Sequence, residues 1–268
     1  MKKVANDKKY ELTDETIEHN GHTLHRIRAL RDFDSAKSGD LGGFVESEDN
    51  LSHEGDCWVG GDAKVYECAR VFGDARVAGR ATVRGRAKVF DSARVFDRAS
   101  INEFAEIFEV AAVYGNALVS FCTKIHGSAI VAGGSFFGRA NVSGRAHVRG
   151  DSQVEGDAVI LGNALISAAY ISGKALIRED ARVVGGAEIF GRVEVSSDRD
   201  YIVFKNWWSS GRYFTWTRSN NMWRVGCFYG TGEELIKKAY RDSEESGREY
   251  ERVVNYVNSI LKDEKRKA

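Results

Sequence analysis

Counting in sixes from Val59, positions 59, 65, 71, 77, 83, 89, 95, 101, 107, 113, 119, 125 and 131 are all valine or isoleucine. Two residues before each stands a small residue: alanine at eleven of the thirteen, Cys57 and Thr123 at the others. The frame slips by one residue inside VAGGSFFGRANV, with an irregular step near Phe137, and resumes at Val142, Val148, Val154, Ile160 and Ile166. It slips again at ISAAYI and runs through Ile171, Ile177, Val183, Ile189 and Val195, which makes about 24 hexads. A helix cannot use a period of six, because the apolar residue would walk around its axis. A strand can: Ala and Val two apart share one face, and the residues flanking Val share the other. Gly, Asp or Glu two residues past Val marks a corner. Short strand, corner, short strand is a β-solenoid.

Three hexads close a triangular coil of 18 residues, so 24 hexads give eight coils. At ~4.8 Å per coil the rod is roughly 38 Å long. The outward residues then sort onto three faces. The first carries Phe72, Phe90, Phe108 and His126, then Val159, Leu161 and Leu176. The second carries Phe96, Ala112, Tyr114, Ile130, Ala132 and Leu165. The third is polar: Lys64, Thr82, Arg84, Ser100, Asn102, Ser120, Gln153 and Glu155. Two apolar faces and one wet face suit a closed ring of three chains. Phe72, Phe90, Phe96, Phe108, Tyr114 and Ile130 are the expected contacts of that homotrimer. The alternative is that the C-terminal residues fold back over one stripe.

The flanks break the pattern, and the rod needs them, because open strand edges aggregate unless capped. Residues 1–55 form the expected N-terminal cap, with Asn20-Gly21 as a hairpin turn between extended segments. Residues 56–198 are the solenoid. Residues 199–268 change composition and hold four of the five tryptophans. Two or three antiparallel strands are expected there, followed by two helices opened by capping boxes at Thr231-x-x-Glu234 and Ser246-x-x-Glu249. Tyr250, Val253, Val254, Val257, Ile260 and Leu261 make an amphipathic stripe on the second helix. Trp207 and Trp208 are adjacent, so one of them is expected outside the module's core. With Arg212 they form its candidate surface.

Composition narrows the function classes. Formal net charge is zero, which argues against a bulk nucleic-acid binder. The four cysteines show no Cys-x-x-Cys spacing, so neither zinc nor a disulfide framework is indicated. Cys68 and Cys122 share a corner position three coils apart, about 14 Å, too far to bridge. The opening MKKVANDKKYELTDE has no apolar run, and no stretch approaches 18 apolar residues. A protein of the bacterial host's cytoplasm, off the membrane, is expected. There is no proline, which suits a solenoid whose backbone N–H groups bond from coil to coil.

Hexads of the form V-x-G-[DNR]-A-x resemble the left-handed β-helix of hexapeptide-repeat proteins. The lead-in DFDSAKSGDLGGFVESEDNLSHEGDCWV (residues 32–59) is similar to that of the YdcK-like family of trimeric left-handed β-helices. This implies a single-stranded left-handed parallel β-helix in a mostly β chain, with a small C-terminal α+β module; the hand comes from the resemblance, since the count alone also allows a right-handed helix. Glycine lies one position later than in the acyltransferase hexapeptide. The string SSGRYFTWT…VGCFYGT…EL…Y is similar to a small module at the ends of phage and prophage proteins.

Candidate chemistry is sparse. From Lys64 to Arg98 there are nine Lys or Arg against four Asp or Glu. Arg80, Arg84, Arg86 and Arg98 are candidate anion-binding residues. The bland reading is a solvated corner whose arginines pair with Asp74, Asp91 and Asp97. His126 and His147 lie within the coils, but no carboxylate is evidently placed to orient either. His19, His22 and His25 straddle a turn and lack a metal constellation. No catalytic residue, metal or cofactor is therefore assigned. The expectation is a non-enzymatic, phage-encoded trimeric binding protein that inhibits a bacterial defence system, by holding a host protein or a small nucleotide. An acyltransferase-like enzyme and an architectural virion protein are the alternatives.

Overall fold

The structure is a computed structural model that describes residues 8–267. The first residues of the expected cap and the last of the C-terminal module lie outside them. Three strands open the chain: β1 (Tyr10–His19), β2 (His22–Ala29) and β3 (Leu41–Val45). Then come 24 strands of two or three residues, β4 (Trp58–Val59) through β27 (Glu194–Val195), one per hexad. They pair in parallel with the strand three places on, so Arg76 sits against Arg94 and Val77 against Val95, 18 residues later. The result is three parallel sheets of eight solenoid strands each, one of which continues into β3, β2 and β1. The expected left-handed β-helix is present, with its eight coils.

The inward residues carry the packing. Every Val and Ile of the hexads is fully buried, and the alanines beside them at most 5% exposed. Alanine fits because the chain turns immediately before it, where a larger side chain would meet the facing sheet. The inward residue at the first slip is Phe136, fully buried, and not Phe137, which points outward. Corners adopt the left-handed conformation. At Gly79 (φ +70°) an added Cβ would stand 2.9 Å from the Asp97 amide nitrogen of the next coil. Asp91, Asp97 and Glu109 tolerate the same conformation (φ 54°, 59° and 57°) because each carboxylate accepts a backbone N–H one coil on.

Both ends are sealed. Asn20 and Gly21 (φ 53° and 84°) turn the β1–β2 hairpin, and β3 pairs antiparallel with β2 but parallel with β5 (Lys64–Val65). The cap and the solenoid therefore share β3. Fully buried Tyr10 and Lys9 plug the opening: Tyr10 donates to Leu51 O at 2.7 Å, and Lys9 Nζ donates to Cys57 O at 2.8 Å. At the far end the last coil has amides with no coil above. The Glu188 N–H donates to Thr215 Oγ1 (2.8 Å) and the Glu194 N–H to Ser219 Oγ (2.9 Å), both from the C-terminal module.

That module is a four-stranded antiparallel meander of β28 (Tyr201–Lys205), β29 (Tyr213–Thr217), β30 (Met222–Val225) and β31 (Phe228–Gly230). The fourth strand exceeds the two or three expected; it is only three residues long, behind a two-residue turn. Helices α1 (Gly232–Asp242) and α2 (Glu244–Lys267) follow. The Thr231/Glu234 capping box forms as expected. The second box does not: Ser246 lies inside α2, and its N–H donates to Ser243 Oγ (3.0 Å) ahead of the helix. Among the described residues no helix is long and apolar enough to cross a membrane.

Candidate functional site

The four candidate arginines frame one face. Arg80 and Arg98 stack one coil apart at the corner leading from the second face to the third, where the Arg80 N–H donates to Asp97 O at 2.6 Å. Arg84 and Arg86 flank Gly85 at the opposite edge of the third face, with Thr82, Ser100 and Asn102 between the edges. Among the described residues none of the four forms an ion pair; Arg86 lies 5.7 Å over the Phe104 ring. This corrects the pairing expected with Asp74, Asp91 and Asp97. Those carboxylates are taken by backbone amides: Asp74 by the Asp56 N–H (3.0 Å), Asp91 by Glu109 and Asp97 by Gly115. Phe104 (52% exposed) and Phe121 (55%) project at the same corner as Arg84 and Arg86, one and two coils on.

The first face holds a ladder of rings. Phe72, Phe90, Phe108 and His126 stack with centroids 4.9, 5.0 and 4.6 Å apart and planes within 5°. Beside it Glu106 bridges Lys88 (3.1 Å) and Lys124 (3.0 Å), which hold its carboxyl below its usual range. On the second face Phe96 and Tyr114 stack at 4.8 Å. Each ring covers its neighbours, so outward phenylalanines are already half-buried within one chain. Ile130 is 37% exposed.

His126 departs from expectation. Its Nδ1 is 3.7 Å from Glu109 Oε2 and its Nε2 is 3.1 Å from Asn141 Oδ1. A carboxylate does stand beside it, although Glu109 is committed to the Gly127 N–H at 2.6 Å. His147 sits on the second face between Ile130 and Leu165. In the cap, His22 Nδ1 meets Glu46 at 2.9 Å and holds that carboxyl low, His19 packs edge-on to Tyr66, and His25 Nδ1 lies 3.4 Å from Thr13 O. His19 and His22 share the Tyr66 ring, at 5.6 and 5.1 Å, and His25 stands apart from them.

In the module Trp207 is 73% exposed, whereas Trp208 packs edge-on to Tyr250 at 5.1 Å. They lie in the turn after β28 and not in a strand, so the turn, rather than strand alternation, parts them. Arg212 is exposed, immediately before β29, and lines a cleft against the rod.

That cleft was not read from the sequence, although its signal was present. Both frame slips fall at one corner, between the second and third faces, two coils apart. Val131 to Phe136 and Ile166 to Ile171 take five steps where Val113 to Val119 and Val148 to Val154 take six. Each shortened corner leaves a notch between full-length ones. The first notch is a cleft of about 480 Å³ lined by Asn116, Gly133, Gly134, Asp151 and Gln153. The second, an open groove of about 510 Å³, shares Asp151 and Gln153 and is lined by Tyr170 and Glu188 of the rod and Arg212, Tyr213 and Arg224 of the module. Burial pushes the Glu188 carboxyl up; Arg224, 3.2 Å away, opposes that. Arg224 itself lies 4.7 Å over the Phe190 ring.

No family model matches the chain, and no curated protein does. The geometry defines the class: a triangular β-solenoid closed by a sheet-and-helix module, with one arginine-framed face and a cleft at the junction.

Proposed function

We propose that the protein is a non-enzymatic binding scaffold whose third face takes the acidic surface of a host protein, as a phage- or prophage-encoded inhibitor of a bacterial defence system. One observation carries this: Arg80, Arg84, Arg86 and Arg98 frame a polar face and, among the described residues, have no carboxylate partner, while the nearby aspartates are spent on the backbone. Unpaired guanidiniums are available for bidentate contacts. The face is flat, and small-molecule sites are concave, which favours a protein surface over a nucleotide. Arginine beside exposed aromatics, here Arg86 with Phe104, is the composition of interface hot spots. The phage setting rests on the resemblance of residues 199–268 to modules of phage proteins.

The test compares wild type with Arg80→Glu/Arg84→Glu, each immobilised and exposed to host lysate. Wild type is expected to retain a partner in a salt-sensitive way, and the variant to lose about tenfold or more of that retention. Equal retention by the variant overturns the reading.

The proposal includes a homotrimer, first face against the second face of the next chain, supported by the resemblance to trimeric β-helices. Light scattering is expected to give three times the 29.7 kDa chain mass. A single-chain mass removes the trimer.

A further inference from the structure

The notch at the second frame slip gathers several polar side chains, some satisfied and some not. Tyr170, on its wall, donates with Ser172 to Glu155, and Arg224 donates to Glu188. Others there have no such partner. Among the described residues the side chains of Asp151, Gln153 and Arg212 have no hydrogen-bond or ion-pair partner, and Glu188 uses only Oε2, on Arg224. Asp151, Gln153 and Arg212 are exposed and line one open groove, where a ligand can meet them together. Their arrangement is also sorted by chemistry. Asp151 and Glu188 only accept, Gln153 does both, and Arg212 offers a cation. Tyr213 supplies a ring wall, 45% exposed and packed so closely on Gly186 that a Cβ there would meet its Cδ2 at 2.8 Å. The cleft's volume, about 510 Å³, lies within the range of small-molecule sites.

We infer that this cleft is a mononucleotide site, with an amine-bearing base against Tyr213, read by Asp151, Gln153 and Glu188, and its phosphate on Arg212. The base brings N–H donors to the two carboxylates, and the phosphate takes the guanidinium fork. Both walls are needed, since the rod supplies the acceptors and the module the cation and ring. The site is separate from the arginine-framed face.

Titration calorimetry on the full chain tests it. Adenosine monophosphate is expected to bind saturably, and adenosine, inorganic phosphate and uridine monophosphate about tenfold or more weakly. Arg212→Gln is expected to lower the affinity for adenosine monophosphate about tenfold with a nearly unchanged unfolding midpoint, because its side chain is exposed and, among the described residues, makes no hydrogen bond or ion pair, only a longer-range attraction to Glu188. Arg80→Glu/Arg84→Glu should leave that affinity unchanged, so failure of this site and failure of the arginine face are read separately. No heat with adenosine, guanosine or cytidine monophosphate overturns the inference. So does unaltered binding by Arg212→Gln, or binding of tryptophan in place of the nucleotide.

Discussion

Ile107→Ala is expected to cost the solenoid roughly 2–5 kcal/mol, whereas Phe108→Ala, one residue along, costs about 1–3 kcal/mol. Ile107 is fully exposed to the core and not at all to solvent. Its removal opens a cavity between its own coil and the two that sandwich it, at Val89 and Ile125. A rod of this kind is held by nearest-neighbour interfaces, so one mid-rod cavity weakens two of them at once. Phe108 points the other way and loses only its stacking on Phe90 and His126. Urea unfolding followed by circular dichroism measures both. Comparable costs at low protein concentration would mean that inward and outward positions are not as described. A Phe108→Ala cost that grows with protein concentration would instead place the ring ladder in the contact between chains, since subunit association adds to stability by mass action.

The same inward and outward division explains what could be read in advance. Backbone and core were legible because period six fixes the face of each residue, and glycine or an acid fixes each corner; the count leaves the hand of the helix open, and the resemblance supplied it. The arginine face was legible as a cluster but not as an electrostatic state. Sequence places Arg80 beside Asp97's coil; it does not show that Asp97 turns its carboxylate to the Gly115 amide and leaves the arginine alone. His126 shows the converse, since Glu109 is seventeen residues away in the chain and beside it only because a coil holds eighteen. The cleft was least legible. Its walls come from residues 151, 188 and 212–224, and no local pattern announces a junction between a rod and the module that ends it. Only the two missing corner residues marked the place, and they read as irregularities until the coils were stacked.

Trp223→Ala carries the second large effect, roughly 3–5 kcal/mol, and it falls on the module alone. Trp223 is 2% exposed and packs on Phe204 (5.9 Å) and Phe214 (6.1 Å). Trp223 shares the module's small core with Phe214, Trp216, Leu235 and Tyr250, so a cavity there weakens what holds β28–β31 to α1 and α2. Solenoid coils far from the junction touch none of these side chains and are expected to keep their unfolding midpoint. The two binding surfaces should then part company. The arginine-framed face lies on early coils and is expected to keep its capture of a protein partner. The cleft needs Arg212, Tyr213 and Arg224 held against Glu188, so adenosine monophosphate binding is expected to fall with the module's folded fraction. Hydrogen exchange resolved along the chain measures the first half, with protection lost over residues 201–267 and retained over residues 59–131. If protection falls uniformly, the module and the rod unfold as one body, and the end seal made by Thr215 and Ser219 is worth more than the two hydrogen bonds it shows.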